Sequence, residues 1–450
     1  MIYSFFKLLT RLTLKVYFRK IHIEGIENIP PDGPFLIVAN HPSSFLDPIS
    51  IAVLVNQKIS FLAKASMFNN KIIAGVLTKF NMVPIYRAQD NPKMLSKNKE
   101  MFDACYKKLS NKGVIMIFPE GTSESERRLR KIKTGAARIA LGTAKENDYH
   151  LNVKIVPVGL NYTKSSRFRS ELFIQFGIPL ESKNYIESYK KEEILTTKKL
   201  TTNIEESIKA LIIDIDKEEF EVLVERIESL YKTQLLKNVT YDHQKNIFSD
   251  VKISQRIYEA IKHFQKADAA LFHQMKTKID DYFLNLKAMN LSDKTIEKGS
   301  QHRNFLQYFI KSIAILVLGF PLWLFGYINS FIPYRIPRFI ALKITDSEAF
   351  YGALLMSIGT FSFIIFYALV TFSVWEFTHS NLLTVCYGLA LPLSGFFTIF
   401  YARIARRFYY NWQFISKFFS KQKVLLQLMT DRNTIIKELE LITEKFKQAF

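Results

Sequence analysis

Two residues that can do acid–base chemistry lie close together near the start of the chain. They are His41 and Asp47, separated by five residues. An imidazole oriented by a nearby carboxylate acts as a general base, because the carboxylate fixes the tautomer and leaves the other ring nitrogen to take a proton. The alternative is a helix-capping aspartate beside an incidental loop histidine. For this pair alone both interpretations stay open, since short motifs also match by chance.

Five residues later in the chain suggest that the protein binds a polar or anionic substrate. Arg87 ends an apolar run, and a guanidinium can hold a phosphate with two parallel hydrogen bonds. Glu120, Gly121 and Thr122 form a turn in which the carboxylate can meet a hydroxyl and the glycine admits a ligand close to the backbone. Lys133 precedes a predicted helix N-terminus, a combination that suits an anion. The alternatives are a surface arginine, a turn-stabilising carboxylate and a solvated basic loop.

A framework for these residues is predicted from residues 21–180, where short apolar runs alternate with helical patterns. The predicted strands are 20–24, 35–39, 59–63, 81–86, 114–118, 153–160 and 171–177, and the predicted helices lie near 48–56, 67–79, 93–110 and 134–146. This alternation predicts an α/β sheet covered by helices, with ligands at the strand ends. Pro157 predicts an edge strand or a bulge. Asp47, followed by proline, predicts a helix N-cap, with Ser43 or Ser44 as alternatives.

The composition points to an anionic partner and to lipid. The chain has 450 residues, with 62 Lys and Arg against 41 Asp and Glu, a formal net charge of +21. Such an excess suits nucleic acid, acidic lipid or a phosphorylated substrate. An apolar content of 48% with 39 Phe and 21 Tyr favours lipid and disfavours nucleic acid. The two cysteines, Cys105 and Cys386, have no CxxC or Cys/His neighbours, so neither a disulfide framework nor a metal site is expected.

The first 20 residues predict a helix on a membrane surface. Lys7, Arg11, Lys15 and Arg19 recur every four residues, and apolar side chains fill the remaining arc. Such a helix lies in the interface with its basic residues toward acidic headgroups. The alternative is an ordinary amphipathic helix that packs on the protein's own core.

Three apolar segments near the C-terminus predict an integral membrane protein. Residues 312–332, 353–375 and 382–402 are each near the ~20 residues that cross a bilayer. Lys and Arg flank the first and third segments but are missing from the turn 376–381. By the positive-inside rule, the first segment is predicted to be re-entrant or interfacial and the other two to span, with the catalytic domain and a C-terminal helix at 403–450 on the cytoplasmic face.

Five motifs, taken in order, resemble those of the glycerolipid acyltransferases: NHPSSFLDP, VPIYR, FPEGTS, KTGAARIA and VPVGLNY. The ordered set is more specific than any single motif, and the resemblance covers roughly residues 20–180. It implies an α/β fold with a mixed sheet covered by helices, a helical insertion and C-terminal transmembrane helices. Residues 181–310 have helical patterns without a chemical motif and are predicted to be that helical region.

The resemblance also implies roles for single residues. His41 and Asp47 match the family's catalytic pair, Arg87 matches its phosphate-binding arginine, and Glu120 and Gly121 match its acceptor-binding block. Five residues separate the histidine from the aspartate, where the usual motif has four. The longer spacing is similar to that of a branch resembling fungal dual glycerol-3-phosphate/dihydroxyacetone-phosphate acyltransferases.

The function that the resemblance implies is acyl transfer to glycerol-3-phosphate in phospholipid synthesis, with lysophosphatidate as the alternative acceptor. The donor would be an acyl thioester, acyl-CoA or acyl carrier protein, and no cofactor is expected. His41 would take the hydroxyl proton while Asp47 stabilises the imidazolium. The sequence has no GxSxG motif, so a covalent acyl-enzyme is not implied. A non-catalytic membrane lipid-binding protein is the alternative from another class, although a binder has no need for a base.

Overall fold

The computed structural model describes residues 2–87, 96–238, 249–299 and 305–445. Within them the chain divides into two compact units. The first comprises Met1–Asp214 and Ile340–Ser357, and the second comprises Ile215–Phe339 and Ile358–Phe450.

The described part of the first unit contains a mixed eight-stranded sheet with helices on its faces. The strands are β1 (Lys20–Glu24), β2 (Phe35–Ala39), β3 (Ile59–Lys64), β4 (Met82–Ile85), β5 (Val114–Ile117), β6 (Lys154–Tyr162), β7 (Glu171–Phe176) and β8 (Leu180–Glu181). The helices are α1 (Ile2–Tyr17), α2 (Leu46–Ala52), α3 (Lys71–Lys79), α4 (Asn98–Ser110), α5 (Gly135–Glu146), α6 (Ile186–Lys191) and α7 (Glu193–Lys209). The strand order is β1-β7-β6-β2-β5-β3-β4, with β8 also paired to β6. Only the β6–β7 and β6–β8 pairs are antiparallel, which confirms the predicted α/β fold and mixed sheet.

The central strand β2 is buried on both faces, as expected of a strand covered by helices. Phe35, Ile37 and Ala39 pack into one core with α1 and α2. Leu36 and Val38 pack into the opposite core with α4, α5 and α7. The end of β2 is therefore fixed from both sides, and His41 follows two residues after it.

The prediction of an edge strand for Pro157 is wrong. Its strand, β6, lies between β7 and β2, and Pro157 pairs with Val38 of β2. The missing N–H of Pro157 is tolerated because β6 changes its partner strand at this position, on the side opposite β2. Strand β8 pairs with Lys154 and Ile155, whereas the pairing with β7 begins at Val158. Proline thus occupies the break between two antiparallel partners.

The unit that contains the sheet continues beyond residue 180, where the sequence suggested a boundary. Leu200, Ile204 and Ile208 of α7 are fully buried in the core under β2. The later segment Ile340–Ser357 also belongs to this unit, because Ala353 and Met356 pack into the core on the α1 side.

Helix α1 packs on the sheet through Leu14 and Tyr17, which are buried. Two members of the predicted basic stripe also lie against the protein. Lys7 donates to the carbonyl of Val55, and Arg11 donates to the carbonyl of Val53 at 2.7 Å. For these two side chains the predicted orientation toward lipid headgroups is wrong, because they satisfy carbonyl groups at and beyond the end of α2.

Helices make up the described part of the second unit. Those lying wholly or partly in it are α8 (Glu218–Asn238), α9 (Ser249–Ala267), α10 (Ala269–Ala288), α11 (Asp293–Gly299), α12 (Phe305–Leu318), α13 (Phe320–Ile344), α14 (Glu348–Thr378), α15 (Asn381–Ser420) and α16 (Gln422–Lys445). The described residues include two helices long and apolar enough to cross a membrane, over Glu348–Thr378 and Asn381–Tyr410. The segments Ile310–Leu318 and Phe320–Ile344 pass the same test together but are bent by 56°. Such a bend is the geometry of a broken span or of a re-entrant loop.

Candidate active site

His41 and Asp47 meet at the end of β2. The imidazole Nδ1 lies 2.8 Å from the Asp47 Oδ2, and the aspartate side chain is completely buried whereas 19% of the histidine side chain is exposed. A buried carboxylate accepts the Nδ1 proton, so the tautomer that this contact favours carries its lone pair on Nε2. The pair therefore has the geometry of a general base with an orienting acid.

The Asp47 carboxylate has two further donors that fix its position. Its Oδ2 accepts from the backbone N–H of Ser43 at 2.7 Å, and its Oδ1 accepts from the hydroxyl of Tyr162 at 2.7 Å. Burial, and then the charge of Asp47, raises the pKa of Tyr162 well above its usual value, so this hydroxyl stays protonated and donates. Three donors thus hold the Asp47 carboxylate in place away from water.

The predicted helix N-cap role of Asp47 is wrong. Helix α2 begins at Leu46 with Phe45 at the cap position, and no side chain makes a capping hydrogen bond there. The carbonyl groups of Ser43 and Ser44 instead accept from the first backbone N–H groups of the helix. Asp47 lies inside the first turn, and its carboxylate is directed to the histidine loop.

Glu120 holds the backbone of the histidine in place through a hydrogen bond. Its Oε1 accepts from the N–H of His41 at 2.8 Å, and its Oε2 accepts from the N–H of Arg130 at 3.1 Å. Burial raises the pKa of this carboxyl above its ordinary value, although the two backbone donors oppose the shift. The imidazole also stacks on Phe118, with 4.0 Å between ring centroids. Glu120 thus positions the loop that carries His41, and its contact with a substrate hydroxyl stays a prediction.

Two basic side chains meet at the turn formed by Gly121. The Arg87 guanidinium donates to the Gly121 carbonyl at 2.6 Å. Gly121 has φ +75°, and a Cβ atom built on it would lie only 2.7 Å from Lys133 Nζ. The left-handed backbone therefore favours glycine here, and the lysine side chain approaches the turn closely. The structure brings Arg87 and Lys133 together beside the turn that holds Glu120, and Thr122 is half-buried next to them.

This geometry agrees with the comparison with known protein families. A family model described as Acyltransferase matches residues 20–161. These residues form an acyltransferase-family domain. They contain His41, Asp47, Arg87, Glu120 and the whole of strands β1 to β5.

Three known proteins resemble the chain that carries this acyltransferase domain. Glycerol-3-phosphate O-acyltransferase 1 of Saccharomyces cerevisiae is 23% identical over 391 residues, covering 67% of this chain and 50% of the relative. The chloroplastic 1-acyl-sn-glycerol-3-phosphate acyltransferase LPAT1 of Arabidopsis thaliana is 31% identical over 150 residues, covering 33% of this chain and 38% of the relative. The crystal structure of the LPA acyltransferase PlsC from Thermotoga maritima has 23% identity and a TM-score of 0.33, covering 45% of this chain and 74% of that chain. The chain spans half or less of the length of the two sequence relatives.

Several residues of the acyltransferase domain that support the site were not singled out from the sequence. Tyr162 holds Asp47, and the Oγ of Ser123 accepts from the backbone N–H of Ser44 at 2.6 Å. Asn40 exchanges two hydrogen bonds with the backbone of Leu160, of 2.9 and 2.8 Å, joining the ends of β2 and β6. A signal existed for all three polar residues, because each lies in one of the five ordered motifs at the end of an apolar run.

Proposed function

We propose that the protein is a membrane-bound O-acyltransferase that transfers a fatty acyl group from an acyl thioester to glycerol-3-phosphate in phospholipid synthesis. The observation that carries the proposal is the 2.8 Å contact between His41 Nδ1 and the fully buried Asp47 carboxylate. A lipid-binding protein needs no base, whereas a general base needs an acid that fixes its tautomer and orientation. The match of residues 20–161 to the Acyltransferase family supports the same reaction class.

In the proposed mechanism both substrates are bound together. His41 Nε2 takes the proton of the acceptor hydroxyl as its oxygen attacks the thioester carbonyl carbon. Asp47 holds the ring in this tautomer and stabilises the imidazolium that forms. The carbon–sulfur bond then breaks, and the imidazolium returns the proton to the departing thiolate. The products are the ester and a free thiol, and the base is regenerated.

Charge at the Gly121 turn supports a phosphorylated acceptor. Arg87 contacts the carbonyl of Gly121, and Lys133 Nζ lies beside the same glycine. A guanidinium and an ammonium group that both approach one glycine suit a phosphate dianion. The turn continues into Glu120, which also binds the backbone N–H of His41, so a phosphate bound here lies close to the base.

Lysophosphatidate is the second candidate acceptor. Glycerol-3-phosphate is favoured because the yeast glycerol-3-phosphate O-acyltransferase matches 67% of this chain, beyond the acyltransferase domain itself. The plant 1-acyl-sn-glycerol-3-phosphate acyltransferase has higher identity, 31%, but matches only 33% of the chain.

An assay of the purified chain in detergent tests the proposal and separates the two acceptors. The chain is offered labelled palmitoyl-CoA with glycerol-3-phosphate, dihydroxyacetone phosphate or lysophosphatidate, and the products are separated by thin-layer chromatography. We expect labelled lysophosphatidate from glycerol-3-phosphate. Label in phosphatidate alone would favour the second candidate. No acyl transfer to any acceptor, with acyl carrier protein thioesters tested as well, would contradict the proposal.

The membrane arrangement that we propose has α14 and α15 as spans, a re-entrant segment at α12 and α13, and the catalytic domain on the cytoplasmic face. Arg335, Arg338 and Lys343 lie in the second half of α13, and Arg403, Arg406 and Arg407 lie in α15 after residue 402. The turn 376–381 has no Lys or Arg, and this asymmetry supports the orientation. The 56° bend is compatible with a segment that enters and returns. Helix α1 would lie on the same membrane surface, where four large side chains on one of its faces are exposed: Phe5, Leu8, Leu12 and Val16.

Cysteine labelling in sealed vesicles tests this arrangement. Arg338→Cys and Glu376→Cys are introduced singly into a chain whose Cys386 is replaced by serine. We expect a membrane-impermeant maleimide to reach position 338 from the cytoplasmic side and position 376 only from the opposite side. Labelling of both positions from one side would rule the arrangement out.

A further inference from the structure

The first turns of helix α14 belong to the unit that contains the candidate active site. Ala349, Gly352, Ala353 and Met356 are buried there. A Cβ atom on Gly352 would lie 2.5 Å from the carbonyl oxygen of Ser165, so glycine allows the helix to lie directly on the loop between β6 and β7. The beginning of this helix is thus a fixed part of the domain.

The histidine loop, residues 41–47, has a different neighbour on each of its two sides, which we call its flanks. On one side the backbone N–H of Ser44 donates to Ser123 in the turn that contains Glu120 and Gly121. On the other side the Ser43 hydroxyl is 3.4 Å from the carbonyl of Ala349, at the start of α14. The first flank leads to Arg87 and Lys133 and is basic, whereas the second leads to an apolar helix.

Two aromatic rings meet on the apolar flank. Phe45 of the loop and Phe350 of α14 form an edge-to-face pair with 6.1 Å between centroids. Phe45 is 42% exposed and Phe350 is 38% exposed, although their chain neighbours Leu46 and Ala349 are buried. Rings that pack a core are covered, so an exposed pair beside a reactive histidine is better suited to contacting an apolar ligand.

The position of the pair identifies the class of ligand. Phe350 is in the first turn of α14, a helix whose composition allows it to cross a membrane. Phe45 is in the same loop as His41, so an apolar chain bound at the pair would lie beside this loop. On the proposed function, one substrate has a phosphate and the other has a fatty acyl chain, and the two flanks of the loop match these two groups in polarity.

We infer that Phe45 and Phe350 form the entrance for the fatty acyl chain of the thioester donor, so that the start of α14 helps to determine acyl-chain preference. This inference rests on the proposed acyl transfer. The fatty acyl chain lies across the two rings, and the thioester carbonyl reaches His41. The acceptor phosphate binds on the opposite, basic flank.

The test compares a long-chain donor with a short-chain donor on the full-length chain in detergent. Phe350→Ala should lower kcat/KM for palmitoyl-CoA about tenfold and change that for hexanoyl-CoA by less than about twofold, because only the long chain covers the ring. Phe45→Ala should show the same selectivity, and Phe350→Leu should retain most of the activity. The matched control is Phe361→Ala, on the same helix, where the ring is 55% exposed; it should leave both donors unchanged.

A binding measurement separates this inference from the proposed function. The wild-type chain is photolysed with palmitoyl-CoA carrying a diazirine on the acyl chain, and labelled peptides are identified by mass spectrometry. We expect label in residues 41–47 and 348–356, whether or not the protein catalyses acyl transfer. Equal loss of activity with both donors, or no label in these two segments, would overturn the inference. Label without acyl transfer would support the inference and contradict the proposed function.

Discussion

His41→Ala is expected to lower kcat for acyl transfer by a factor of about 10²–10⁴, the usual contribution of a positioned general base. Without the imidazole, the acceptor hydroxyl has to lose its proton to water as it attacks. The effect should appear in kcat, because in the proposed mechanism the ring contributes to the chemical step and the acceptor phosphate is bound elsewhere. Steady-state rates at saturating palmitoyl-CoA and acceptor measure it.

Arg87→Ala is the matched comparison for that experiment. The guanidinium contacts the Gly121 carbonyl and not the imidazole, so its loss should chiefly raise the KM for the acceptor. Arg87→Ala should have the thermal midpoint of the wild type within a few degrees. His41→Ala removes one of the three donors to the buried Asp47 carboxylate, so its thermal midpoint is also measured and its rates are taken well below it. Wild-type kcat in His41→Ala would end its assignment as the base, and an unchanged acceptor KM in Arg87→Ala would remove the arginine from the phosphate site.

Local sequence patterns predicted the elements around this site because the elements are short and strongly patterned. Every predicted strand between residues 20 and 177 is present, including the buried run Phe35–Ala39. The pairing of the histidine with the aspartate could also be predicted, because the two residues lie on one strand-to-helix connection.

The interactions that hold Asp47 depend on contacts distant in sequence and could not be predicted in the same way. Tyr162 is 115 residues away and reaches the carboxylate only because β6 pairs with β2. The Asp47 carboxylate accepts hydrogen bonds from Tyr162, Ser43 and His41. It therefore does not form the helix N-cap expected from local propensity. Pro157 predicts an edge strand or a bulge because a proline lacks a donor, but the change of partner strand at that position depends on β7 and β8. Tertiary pairing decided both cases.

A buried ion pair in the second unit gives the other large expected effect. Arg432 of α16 donates to both carboxylate oxygens of Asp293, at 2.8 and 3.3 Å, and both side chains are largely buried. Tyr282 donates to the same carboxylate at 2.8 Å, and Ser229 lies 3.3 Å from it. The cluster joins α8, α10, α11 and α16, so it connects the C-terminal helix with the helical region.

Arg432→Met is expected to reduce the free energy of local opening of α16 by roughly 3–5 kcal/mol, because it leaves the Asp293 charge buried with neutral donors only. Methionine preserves most of the side-chain length, so packing changes less than charge. Hydrogen–deuterium exchange of peptides from Gln422–Lys445, followed by mass spectrometry, measures the loss of protection on the intact chain.

Two further variants show whether the unpaired charge is the cause. Lys278→Met removes another ion pair between α10 and α16, with Glu438 at 2.7 Å, but that pair is partly exposed and should contribute less than about 1 kcal/mol. Asp293→Asn combined with Arg432→Met removes both charges and should restore much of the protection lost in Arg432→Met. If Arg432→Met exchanges no faster than Lys278→Met, the cluster does not hold α16. If the double variant exchanges as fast as Arg432→Met alone, lost packing rather than an uncompensated carboxylate is responsible.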